Sequence, residues 1–191
     1  SDLRDAREIG QRAAERAVER TGARKPPTGS YPVLFDERIA SSLIGHLLAA
    51  VNGSAIARGA SFLREAKGSQ ILPKGLSLIE DPHRPRTTGS RPFDAEGLPT
   101  ARRAIVEDGV LQGWTMDLAT ARQLGETSTA NAGRATGSGP SPSTWNVSLT
   151  QGEASREELI AQSSLMLYPN RDEFERVGVE KYRSIRKTTV A

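Results

Sequence analysis

The sequence contains no cysteine. That absence excludes a disulfide framework, a thiolate metal site and a cysteine nucleophile. It suits a reducing compartment, so the expected location is the cytoplasm. Histidine is almost as scarce, with His46 and His83 alone in 191 residues, so imidazole-based metal chemistry has few ligands to draw on. Aromatic residues make up 5%, too few for a base-stacking surface. No apolar run approaches the about 20 residues that a membrane-spanning helix needs. The opening SDLRDAREIG carries acids where a secretory signal would have an apolar core. An excess of one charge is lacking too. The 26 Lys and Arg interleave with 23 Asp and Glu, leaving +3 without a basic block or arm, which points to a solvated mixed surface rather than a polyanion-binding face.

What is present is a chain of modest hydrophobicity (36%) with 18 glycines and 11 prolines. This length supports one large domain, or one domain with a helical extension, and a proper core. The mix suits a loop-rich globular protein with β structure better than a helix bundle. The chain begins at Ser1 rather than Met, which fits a fragment or a processed chain.

Residues 2–21 are predicted as a helix, capped by Asp2, with Leu3, Ile9, Ala13 and Ala17 at helical spacing and Gly22 as its stop. The face is mostly alanine, so the helix is marginal alone and is expected to pack on something else. Lys25 to Gly29 is a break. Residues 31–35 read as a short strand. Asp36 caps a second helix with Ile39, Leu43, Leu47 and Val51 on one stripe, widened by Leu48. Helical pattern resumes over residues 54–67, with Ile56, Phe62 and Leu63, and ends at Gly68. Leu76 and Leu78 alternate as in a strand. Residues 81–92 form a proline-rich loop, and residues 101–114 carry a hairpin around Glu107-Asp108-Gly109. Asp117 caps a short helix stopped at Gly125. Residues 125–144 form a long Gly-, Ser- and Thr-rich loop, either mobile or functional. Trp145, Val147 and Leu149 alternate as a half-buried strand, and Ser155 to Glu158 reads as a capping box opening a helix. Residues 163–191 are charged and weakly periodic, a divergent tail of unassigned role.

His46 lies in the apolar run SLIGHLLAAV. A zinc helix of the His-Glu-x-x-His kind needs a second imidazole one turn on and a carboxylate beside the first. Leu47 follows His46, and Ala50 stands one turn on. The residues therefore favour a structural histidine at the edge of an apolar stripe, with one ring nitrogen hydrogen-bonded. Asp94 and Glu96 can be an acid–base pair or turn formers, and the turn role is favoured. The stretch around Thr129, Asn131 and Arg134 has no phosphate-binding glycine pattern. It reads as a flexible surface loop or as a contact for an extended peptide backbone. No serine has a nucleophile elbow or a histidine partner, so a non-metal hydrolase finds no support.

Three ordered stretches carry a resemblance: VLFDERIASSLIGHLLAAVNGSAIARGASFL, then EDPHRPRTTGSRPFDAEGLPTARRAIVEDGVLQGWTMDLATARQLG, then STANAGR. Over residues 32 to about 162 the chain resembles the TldD/PmbA family of peptidases, also called modulators of DNA gyrase. The resemblance implies an α+β fold, with a helical segment and linker over 1–30 and N-terminal helices leading into a mainly antiparallel β-rich domain over 31–162, and no counterpart of the family's N-terminal domain. One kind of member carries His-Glu-x-x-x-His and a later cysteine. The PmbA kind, also called TldE, lacks both and is thought to pair with the first. This chain is similar to the second kind. Depending on register, either Leu47 and Val51 or Gly45, His46 and Ala50 stand in the motif positions.

The resemblance implies a PmbA/TldE-like subunit of a peptidase assembly that processes or degrades peptides, with no catalytic residue and no metal of its own. Zinc is expected only in a TldD-like partner. Asp94, Glu96, Thr129, Asn131 and Arg134 are the candidates for substrate contact. Pairing with that partner is expected, self-association is open, and neither nucleic acid nor membrane is an expected partner. The other reading is an interaction module that modulates nucleic-acid machinery such as DNA gyrase, supported physically only by a pI near 9.5.

Overall fold

A computed structural model describes residues 4–18, 21–22, 28, 33–35, 37–155, 158–159, 161 and 165–166. The chain divides into two compact units, Ser1–Ser41 with Glu153–Ala191, and Ser42–Gly152. Among the described residues, this first unit joins parts of both ends of the sequence.

In that first unit, α1 (Ala6–Val18) follows the expected helical pattern. Asp5 Oδ1 accepts from the Arg7 amide at 2.8 Å and so does a capping carboxylate's work. The predicted cap Asp2 lies outside the described residues. No residue of α1 is buried, and Ile9 is 54% exposed. Gly22 has φ 72, as a helix-ending glycine should. β1 (Val33–Leu34) pairs in parallel with β8 (Leu165–Met166), a strand that the weak pattern of the tail did not announce. The Ser155 capping box is present. The Ser155 amide and hydroxyl both reach Glu158 Oε2, at 2.7 and 2.9 Å, and the Glu158 amide reaches Ser155 Oγ.

The boundary between the units falls within α2 (Glu37–Ala50). From Ile44 onward, Ile44, Leu47 and Leu48 pack against the core, and the following Val51 is fully buried. Leu43, predicted on the inward stripe, is 44% exposed instead. The spacing 44, 47, 48, 51 is itself a helical stripe, with Ile44 facing the core in place of Leu43. Asn52 caps the short α3 (Gly53–Ala57), its Oδ1 accepting from the Ser54 amide at 3.0 Å. The helix predicted to reach residue 67 ends here. Gly59 turns the chain with φ 69, and Phe62 is 85% exposed.

The sheet of this unit has the order β4-β3-β2-β7, antiparallel throughout. Its strands are β2 (Leu78–Glu80), β3 (Arg103–Glu107), β4 (Val110–Leu111) and β7 (Val147–Leu149). Leu78, Ile105, Val106 and Leu111 pack with Val51 and Leu63 to make the core. The β3–β4 turn falls where the sequence places it. Asp108 (φ 46) and Gly109 (φ 82) are both left-handed, the pairing that a two-residue hairpin prefers. A Cβ at Gly109 would lie 2.2 Å from the Leu72 carbonyl oxygen, so only glycine fits. α4 (Leu118–Leu124) has its expected Asp117 cap, in a reciprocal box with Thr120, and its Gly125 stop at φ 68.

The Gly- and Ser-rich stretch 125–144 departs from a flexible surface loop. It contains an antiparallel pair, β5 (Ala132–Gly133) with β6 (Ser141–Pro142), and Ala130, Asn131 and Ala132 are buried. Only the tip over residues 134–141 is exposed throughout. The α+β expectation holds, with helices leading into an antiparallel sheet.

Candidate functional site

The most concentrated chemistry in the second unit centres on a charge that the sequence pattern passed over. β2 alternates inward at Leu78 and Glu80, which puts a carboxylate 1% exposed at the end of an apolar strand. Across the β2–β3 ladder Glu80 is in register with Arg103. Arg103 Nε donates to Glu80 Oε2 at 2.7 Å, while its terminal nitrogens donate to Thr115 Oγ1 and the Trp114 carbonyl. The other carboxylate oxygen, Glu80 Oε1, accepts from Asn131 Nδ2 at 2.8 Å and from the Trp145 amide at 2.6 Å. A buried ion pair persists only when its remaining hydrogen-bonding capacity is met, as it is here. Over this cluster Arg91 lays its guanidinium on the Trp145 ring, 3.6 Å from the centroid.

The residues singled out from sequence are distributed around it. Asp94 is 3% exposed and fully engaged with backbone amides. Its Oδ1 takes Glu96 and Leu98, at 2.9 and 3.0 Å, and its Oδ2 takes Ala132 at 3.0 Å. That is the geometry of a turn former that also ties the turn to β5. Glu96 Oε2 accepts from the Leu118 amide at 2.9 Å, a carboxylate on the first turn of α4. Thr129 Oγ1 accepts from the Met116 amide and donates to the Met116 carbonyl. Asn131 joins the Glu80 network and also donates to the Ser143 carbonyl. Arg134 stands on the exposed tip, its Nε donating to the Ser138 carbonyl at 3.1 Å. Asp94 and Asn131 are thus brought together through Ala132, whereas Glu96, Thr129 and Arg134 each serve a different local contact.

Glu80, Arg103, Arg91 and Trp145 were not singled out from the sequence. A signal for the first two existed. A charged residue at an inward position of an alternating strand, opposite another charge in a neighbouring hairpin, marks a buried pair.

His46 sits on the exposed side of α2, and among the described residues it has no hydrogen-bond partner, in contrast to the bonded nitrogen expected. His83 Nε2 lies 3.0 Å from Thr100 Oγ1, which itself donates to the Arg91 carbonyl at 2.6 Å. Nε2 is therefore the donor of that contact. Among the described residues no three His, Cys, Asp or Glu side chains gather in a metal-binding group. The motif positions themselves do not fit zinc. Val51 is fully buried in the core, Leu47 and Ala50 pack against it, and Gly45 offers no donor. In either register one imidazole at most is available, short of the three protein ligands of a catalytic zinc. No described helix is long and apolar enough to cross a membrane.

Comparison with known proteins gives one consistent answer. Residues 28–171 match the model of the PmbA/TldA metallopeptidase C-terminal domain, which runs past residue 162. Metalloprotease PmbA of Escherichia coli O157:H7 is 41% identical over 133 residues, covering 70% of this chain and 30% of that protein. A crystal structure of a candidate modulator of DNA gyrase from Bacteroides thetaiotaomicron superposes with a TM-score of 0.74 at 30% identity, over 85% of this chain and 34% of that one. TldE from Thermococcus kodakarensis superposes with a TM-score of 0.70 at 25% identity, over 83% of this chain and 37% of the other. The chain spans about a third of the length of these relatives.

Proposed function

Because the chain belongs to the PmbA/TldD family, we propose that it is the PmbA/TldE-like part of a two-component cytoplasmic peptidase assembly, in which a TldD-like partner holds the zinc and this chain contributes structure and peptide contact. The observation that carries this reading is Val51. It is 0% exposed at the heart of the core, in the segment where the metal-bearing kind of member keeps a ligand. A side chain so placed has no access to a solvent-filled site, and Leu47 shares its environment. The family supplies a peptidase framework, while this helix is devoted to packing.

In this reading the zinc, bound by the partner, would polarise the scissile carbonyl and activate water. Among the described residues of this chain no three His, Cys, Asp or Glu side chains gather to hold it. What this chain offers is a wall whose sheet is clamped by the Glu80–Arg103 pair, with Asp94 holding the turn at residues 94–98 beside it. The test is co-expression with a homologue bearing the His-Glu-x-x-x-His motif, followed by pull-down and a peptidase assay. Co-purification with activity confined to the mixture supports the reading, and peptidase activity of this chain alone sinks it.

A further inference from the structure

We infer that the β5–β6 hairpin is a hinged strap over a latent binding point for an extended peptide backbone, formed by Asn131 Oδ1 and Trp145 Nε1. Both ends of the strap close on one atom, since Glu80 Oε1 accepts from Asn131 Nδ2 and from the Trp145 amide. Just outside each end stands a non-glycine residue in the left-handed region, Ala130 with φ 55 and Asn146 with φ 47. Asparagine tolerates that conformation, and alanine adopts it only under constraint.

The two closing residues also carry the unpaired polar atoms. Asn131 is 1% exposed and Trp145 7%. Asn131 Oδ1 and Trp145 Nε1 are buried with no hydrogen-bond partner. Turning the Asn131 amide over does not cure this, because Nδ2 already donates to both Glu80 Oε1 and the Ser143 carbonyl, and a flip would set oxygen against oxygen. Buried groups left unpaired are rare and unfavourable. Two of them at the two ends of one strap, beside two left-handed residues, point to a second arrangement in which they find partners.

The chemistry of those partners follows. One acceptor and one donor are unpaired, both neutral; of the nearby charges Glu80 and Arg103 match each other, and Arg91 lies on the Trp145 ring face and donates to the Gly89 carbonyl. A carboxylate or phosphate offers acceptors only and leaves Asn131 Oδ1 unmet. A residue in an extended peptide presents its own N–H and C=O on the same side, one for each atom. Opening turns Ala130 and Asn146 out of the left-handed region. It releases bonds that hold the strap down, among them Asn52 Nδ2 to the Pro142 carbonyl, the Ala132 amide to Asp94 Oδ2 and the Ala95 amide to the Ala132 carbonyl.

This inference rests on the peptide-handling reading above, but its test needs no partner subunit, so the two fail separately. The probe is a capped, uncharged peptide of alternating alanine and serine, titrated into the ¹⁵N-labelled chain while the indole N–H resonances of Trp145 and Trp114 are followed. A saturable downfield shift of Trp145 alone is expected, since Trp114 Nε1 already donates to the Leu63 carbonyl. Ala130→Gly, which takes the left-handed conformation without penalty, favours the closed strap and is expected to weaken peptide binding about three- to tenfold. No saturable shift of Trp145, a long-lived water already bonded to its indole in the free chain, or an unchanged affinity in Ala130→Gly overturns the inference.

Discussion

Glu80 and Arg103 face each other across two adjacent strands, joined at 2.7 Å, with the carboxylate 1% and the guanidinium side chain 19% exposed. Around this pair the sheet, the Trp114–Thr115 segment and both ends of the β5–β6 hairpin are tied together. Arg103→Ala strands the Glu80 carboxylate and is expected to lower unfolding stability by about 3–5 kcal/mol. Urea denaturation checks this, and a loss within about 1 kcal/mol contradicts a keystone role for the pair.

Gly109 and Gly75 make a matched comparison. Both are left-handed, with φ 82 and 85, but a Cβ at Gly109 collides with backbone oxygen while one at Gly75 meets nothing. Gly75→Ala should cost about 1 kcal/mol, the left-handed penalty alone. Gly109→Ala should cost clearly more, because the β3–β4 hairpin must shift away from Leu72. Equal midpoints in thermal unfolding would remove the steric part of that account.

Val51→His restores an imidazole at one motif position. In this chain it exchanges a buried aliphatic group for a larger polar one amid apolar neighbours, so a loss of about 2–4 kcal/mol is expected. Calorimetry with and without added zinc decides it. A melting temperature restored by zinc would mean that the helix end can still assemble a metal site.

The Ser155 capping box has a pH signature. Glu158 is held below the usual carboxylate range by the hydrogen bond from the Ser155 amide and then by that from its hydroxyl. A carboxylate depressed by folding adds stability that is present above its unfolded pKa and fades as pH falls through its folded one. The group is fully exposed, so the effect is local to this turn. Carboxyl titration by NMR should show Glu158 moving upward in Ser155→Ala, which removes the hydroxyl bond and keeps the amide one, and a Glu158 not lowered in the unaltered chain would show that the box does not form in solution.

Local punctuation was the most legible part of the sequence. Asp117 and Gly125 bound α4, Asp108-Gly109 turns the hairpin, and Ser155 caps with Glu158, because each acts through neighbours a few residues away. In α2 the stripe of Leu47, Leu48 and Val51 was read as it stands, and only Leu43 was taken for its neighbour Ile44, since both are apolar and only the sheet beneath decides which faces in. The order in the 125–144 stretch was hidden because its anchors, Glu80 and Asp94, lie 51 and 38 residues from their partners Asn131 and Ala132. Composition alone made that stretch look loose. At the candidate site, Asp94 was readable as a turn former, whereas the unpaired atoms of Asn131 and Trp145 exist only once the two ends of the strap meet.

Zinc analysis of the co-purified assembly tests the central claim most directly, comparing the unaltered chain with His46→Ala. If the proposed pairing holds, zinc stays with the TldD-like partner, and neither zinc content nor peptidase activity changes when His46 is removed. One equivalent of zinc retained by this chain alone, and lost in His46→Ala, would contradict it.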